Sequence, residues 1–197
     1  LGADLGADGN DVHAAEVGKG TREVLGFWFD LVMPEQWFKK SPSLDEEIRS
    51  LFGPLRDQLV ASEAAGWRDD PETMLAAIIV IDQFSRNLHR GSAEAFAGDP
   101  LALALTLEAL EKGWDKGMAP ERRQFLYMPL MHAEDRAMQR LSCERFEALG
   151  NPLNLKFAID HAEVIEKFGR FPSRNAALGR VSTDEEKVYL SQPGAGW

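Results

Sequence analysis

The chain has 197 residues, 44% of them hydrophobic and 27% charged, and a formal net charge of -10 at pH 7. That length and mix suit one globular domain with a full core. The negative balance argues against nucleic acid or an anionic membrane surface as the main partner, because both need a broad basic face. The single cysteine, Cys143, cannot form an internal disulfide, so a reducing, cytoplasmic setting is the expectation. No apolar run reaches the ~18 residues of a membrane span, and no basic head with an apolar stretch marks a secretory leader.

Residues 1–20 hold a direct repeat, LGAD-LGAD, many glycines and no aromatic residue. They predict a disordered or weakly ordered tail with no role for His13. From Thr21 the apolar period is helical almost throughout. Residues 22–29 predict a first short helix, followed by a loop with Pro34 and an exposed pair, Trp37-Phe38. Leu44, Ile48, Leu51, Phe52, Leu55 and Leu59 mark an amphipathic helix over 44–65, with a kink expected at Gly53-Pro54. Asp70-Pro71 is a helix start, with Asp as N-cap and Pro in the first turn, and the helix runs to about Asn87. Asp99-Pro100 repeats the signal for a helix to about Lys112, which Gly113 and Gly117 end. Ala119-Pro120 opens a stretch to Leu149 with a break expected at Pro129, and Asn154 opens another to Phe168. Ser182–Glu185 reads as a capping box for a last helix over 183–190. No strand-like alternation survives, so the fold class is all-α: a single domain over 21–197 built of antiparallel helix pairs.

Several polar residues fall on apolar faces. The helix from Pro71 is apolar all round over Met74–Ile81, and Asp82 continues its stripe. A carboxylate there needs a partner, because an unpaired buried charge is expensive. Arg86 and Arg90 follow four and eight residues later. On the next long helix Phe125, Met128, His132, Asp135 and Gln139 form one stripe, so His132 and Asp135 are expected to meet at one spot, with Glu134 about a quarter-turn away. His161 lies on a similar stripe with Phe157 and Ile165. The His132-x-x-Asp135 spacing lacks the second ligand pair that helical metal sites recruit, so no metal and no cofactor is assigned. The segment 167–183, KFGRFPSRNAALGRVST, concentrates Lys167, Arg170, Arg174 and Arg180 without one acid. Phe171-Pro172 favours an extended path there, and the arginines are expected to project from a pinned loop together with Asn175.

These residues also carry a resemblance. VLGFWF at 24–29, QWFKK at 36–40, IDQFSRNLHRGSAEAFAGDPLAL at 81–103, FLYMPLMHAED at 125–135 and FGRFPSRNAALGRVSTDEE at 168–186 resemble the bacterial DUF924 proteins, a family of uncharacterised function. The resemblance covers about residues 23–197. It implies a TPR-like (tetratricopeptide-like) array of antiparallel helix pairs and no particular activity. Two positions depart from the family pattern: Ser173 stands where members commonly carry histidine, and Ala133 where they commonly carry serine.

Three readings of function follow. In the first, Arg86, Arg90, Arg170, Arg174 and Arg180 line a groove for an anionic small molecule or a peptide end, with Asp82, Glu134, His161 and Asn175 beside them, because arginine forks pair with carboxylates and phosphates in fixed geometry. In the second, His132 oriented by Asp135, or His161 across the groove, is the base of a hydrolase or lyase acting on an anionic substrate. In the third, Asp82, Glu134 and Asp135 satisfy the arginines internally and the protein works through protein contacts. An exposed Trp37-Phe38 pair would offer a homodimer contact.

Overall fold

A computed structural model describes residues 6–197, and among them every regular element is helical. The elements are α1 (Gly6–Gly26), α2 (Pro42–Ala61), α3 (Pro71–Ile78), α4 (Ser85–Leu88), α5 (Glu94–Ala97), α6 (Asp99–Glu111), α7 (Pro120–Met131), α8 (Arg136–Leu149), α9 (Pro152–Phe168), α10 (Asn175–Leu178) and α11 (Asp184–Leu190). π-helical segments follow α1 (Phe27–Leu31) and join α3 to α4 (Ile79–Phe84). Among the described residues no helix is long and apolar enough to cross a membrane.

The core is centred on α3 and the π segment after it, where Met74–Ile81 are buried. This is what a helix apolar on every side requires. Around it α1, α6 and α7 pack on α3, and α2 packs on the π segment and α4. α8 lies between α7 and α9, as the short turns joining them dictate. An aromatic cluster closes one side. Trp28 meets Phe84 and Phe125 edge-on at 5.4 and 5.6 Å, and Trp37 donates its indole N–H to the Trp28 carbonyl at 3.0 Å.

Helix starts follow the capping rules. Asp70 accepts from the Thr73 amide at 3.0 Å, Ser41 from Leu44 at 3.3 Å, and Asn151 from Leu153 and Asn154. The last capping box pairs Thr183 with Glu186, one residue later than Ser182–Glu185. Thr183 has the extended backbone that an N-cap needs.

Other elements differ from the sequence expectation. Residues 1–5 of the expected tail lie outside the described residues, but from Gly6 the chain is helical, with Val17 and Thr21 buried. A Cβ at Gly20 would sit 2.8 Å from the Trp67 ring, so this glycine permits close docking of α1 rather than disorder. α2 is one continuous helix over Pro42–Ala61 with Pro54 inside it, and it ends before the expected residue 65. The long stretch from Pro120 breaks after Met131, not at Pro129, because Asp135 caps a new helix. Trp37 is buried, not exposed, because it stacks in the aromatic cluster; Phe38 remains more than half exposed while stacking on Phe125 at 5.8 Å.

Candidate functional site

The break between α7 and α8 decides where His132 points. Because α7 ends at Met131, His132 and Asp135 no longer share a helical face. Asp135 is exposed and spends its carboxylate on the Met138 amide at 2.9 Å, capping α8. The expected His132–Asp135 pair is therefore absent. The partner of His132 is Asp82, whose Oδ1 lies 2.7 Å from Nδ1.

Asp82 sits in the π segment and is almost fully buried. A π turn takes one extra residue and is often found where a side chain must be re-aimed. Burial alone would raise the Asp82 pKa, but His132 and Arg86 outweigh it and hold the carboxyl below its ordinary range. Burial and the nearby Arg86 depress His132, against the pull of Asp82. The pair is thus an ionised carboxylate and a neutral imidazole. Nδ1–H donates to Asp82, and Nε2 keeps its lone pair.

A cavity of about 510 Å³ opens beside this pair. One wall is aromatic and apolar: Trp37, Phe38, Phe96, Met128, Met131, Phe157 and Phe171. Its polar rim carries Lys40, Gln83, Arg86, Arg90, His132, His161, Ser173 and Arg174, and Trp197 lies over His161. The indole stacks on the imidazole with centroids 3.5 Å apart and planes 18° from parallel. His161 donates Nδ1–H to the Phe157 carbonyl at 2.7 Å. Burial and the neighbouring His132 push its pKa down to about 3, so this imidazole is also neutral. The two histidine rings are 6.3 Å apart.

The arginines divide into clamps and one looser residue. Arg170 grips Glu186 at 2.7 and 2.9 Å and also the Val181 carbonyl. Arg180 forks onto Glu134 at 2.8 and 2.9 Å and donates to Phe171 and Asn175. Asn175 is buried, with its amide on Ser182 at 3.1 Å. Arg170, Asn175, Arg180 and Glu134, expected in a ligand groove, instead fix the 167–183 segment and do not line the cavity. The reason is geometric: the left-handed turns at Gly169 and Gly179 fold the segment back on itself and onto the acids of α11 and the α7–α8 turn. Arg90 is held by Asp45 at 2.6 and 3.0 Å. Arg86 is shared between Asp82 and Asp99.

Arg174 is different. Its guanidinium lies between the Phe96 and Phe171 rings, 4.6 Å from each centroid. It makes one hydrogen bond, from Nη2 to the His132 carbonyl at 2.8 Å. Its carboxylate neighbours are farther: Asp99 at 3.5 Å and Glu134 at 3.8 Å. Burial and the nearby Arg86 lower its pKa to about 10. This is a cation with donors to spare at the cavity wall.

Sequence reasoning missed Asp99, Asp45, Phe96 and Trp197. Asp99 reads as an N-cap, but Gly98 takes that place and frees the Asp99 carboxylate to fork onto Arg86 at 2.8 and 2.9 Å. The signal was Gly98 itself. A Cβ there would come within 2.7 Å of Ile81 Cγ2, so α6 starts hard against the π segment. Asp45 lies in the first turn of α2, beside the apolar stripe, and only the packing of α2 on α4 brings it to Arg90.

The comparisons with known proteins agree with this architecture. A solved structure of a protein of unknown function from Agrobacterium tumefaciens is similar at 35% identity, with a TM-score of 0.80, covering 92% of this chain and 98% of that one. No curated protein matches. Residues 24–194 match the family described as bacterial protein of unknown function (DUF924). With most of its length inside that match, the chain belongs to the DUF924 family.

Proposed function

We propose that the cavity binds a small molecule with an apolar, ring-sized body and one carboxylate-class anion, and that Arg174 receives the anion. The observation that carries this reading is the single short hydrogen bond of Arg174, set beside the forked partners of Arg86, Arg90, Arg170 and Arg180. A buried guanidinium gains most from a bidentate acceptor, and none of its own carboxylates comes closer than 3.5 Å. The aromatic wall offers contact area for the body, and the volume falls in the ~300–1,000 Å³ range of small-molecule sites. Lys40 and Arg90 on the same rim add attraction for an anion.

Thermal denaturation with benzoate, phenylacetate, citrate and inorganic phosphate tests it. Aromatic monocarboxylates should raise Tm in a dose-dependent way, since a ligand that binds only the folded state stabilises by mass action. Arg174→Gln should remain folded and lose the shift. No shift from any of these anions, with Arg174→Gln simply melting early, would make Arg174 an internal clamp like its neighbours.

The Asp82–His132 pair favours a second reading, a proton-abstracting enzyme of the hydrolase or lyase class. A buried carboxylate that orients a neutral imidazole beside a cavity is the arrangement of a general base. Arg174 stands ready to stabilise negative charge as it develops. In that case His132→Ala abolishes turnover of the bound molecule and spares its affinity.

A further inference from the structure

The two histidines at the cavity present one kind of hydrogen-bonding atom. A carbonyl oxygen only accepts, so the 2.7 Å contact from His161 Nδ1 to the Phe157 carbonyl fixes the proton on Nδ1. The Asp82 carboxylate fixes the His132 proton on Nδ1 in the same way. Each neutral ring is left with a single lone pair, on Nε2. Neither Nε2 has a hydrogen-bond partner among the described residues, and both rings border the cavity.

We infer that the molecule bound here carries a neutral O–H or ring N–H donor in addition to its anion, making it a hydroxylated or N–H-bearing aromatic carboxylate. This rests on the binding reading above. An unsubstituted carboxylate of the same size would cover the two lone pairs without replacing the water they lose, and an unmade buried hydrogen bond costs more than a made one gains. The anion itself cannot sit against the lone pairs, so it belongs at Arg174 and the donor at the histidines. An ammonium donor is disfavoured, because Arg86 and Arg174 lie close enough to His132 and His161 to repel added positive charge. Selectivity of this kind is strong for the same reason: a site built around polar atoms rejects the analogue that leaves them unpaired.

Matched carboxylates, titrated calorimetrically into the full chain, decide the matter. The sets are benzoate, 4-hydroxybenzoate and 4-methoxybenzoate; 3-phenylpropanoate with its 4-hydroxy and 4-methoxy forms; and indole-3-acetate with its N-methyl form. In at least one set the donor-bearing member should bind about tenfold tighter than both its unsubstituted and its methylated partner, the worth of one well-made hydrogen bond. His132→Phe or His161→Phe should erase that preference while plain carboxylates still bind. The methyl comparison uses the unaltered protein, so it stands even if a histidine variant fails to fold. Binding of all members of every set within about twofold, or equal binding of the methylated form, overturns the inference and leaves the carboxylate site intact. Failure of every carboxylate to bind overturns both.

Discussion

Arg180 and Arg174 face the same carboxylate and do different work. Arg180 holds Glu134 through two bonds of 2.8 and 2.9 Å, whereas Arg174 stands 3.8 Å from it. Arg180→Ala leaves a half-buried Glu134 without its fork and should destabilise the protein by about 2–3 kcal/mol in urea unfolding. Arg174→Gln should cost less than about 1 kcal/mol, because the residue it removes is incompletely paired. Equal losses for the two would refute the division into clamp and contact. Asp82→Asn should cost about 2 kcal/mol, since Arg86 and His132 both exchange a charged acceptor for a neutral amide oxygen. At this scale the sequence made the Asp82–Arg86 pair legible, because four residues apart on a helix is local geometry. The Asp82–His132 pair joins residues fifty positions apart, and no spacing rule reaches that far.

Among the elements, caps and tight approaches carry the testable weight. Asp70→Ala removes the acceptor of the Thr73 amide and should cost about 1 kcal/mol. Gly98→Ala places a methyl group 2.7 Å from Ile81 Cγ2 and 3.4 Å from the Ile81 carbonyl, so the start of α6 must shift. A loss of about 1–3 kcal/mol is expected, read from the chemical denaturation midpoint. The same shift would pull Asp99 away from Arg86 and Arg174. Helix positions in the sequence were largely readable, from Asp70-Pro71, Ala119-Pro120 and the apolar periods, whereas the start expected at Asn154 falls at Pro152, because Asn151 is the cap. The π segment at Ile79–Phe84 was not, because eight consecutive apolar residues look alike in either helical register. The sequence points to Pro129 for the break found after Met131, because a proline is a visible interruption, whereas Asp135 acts as a cap only once the chain has turned.

For the whole molecule, the histidines and carboxylates with shifted titrations all point in one direction. His132 and His161 have depressed pKa values, and so do Asp45, Asp82, Glu108 and Glu134; Glu186 is drawn down to about 2 by Arg170. A group whose folded pKa is lowered binds more protons when unfolded, so stability is lost as pH falls. The loss begins below about pH 6.5, where histidine in the unfolded chain gains its proton. It continues below about 4.5 as the carboxylates follow. Between pH 6.5 and 5 His161 contributes a slope of up to roughly 1.4 kcal/mol per pH unit, and His132 adds to the loss in the same direction. Tm should fall over that interval in a calorimetric pH series, and His161→Phe should flatten the fall; a Tm constant from pH 7 to 5 would contradict the neutral, buried histidines. The all-α class, most helix starts and the family were determined by the sequence alone, because capping and amphipathic period are local properties that each segment carries with it. Which carboxylate holds which arginine, the neutral state of both histidines and the cavity they face were decided only by the tertiary structure. Those depend on distances between distant segments and on water excluded by packing, and neither quantity is written in any single stretch of the chain.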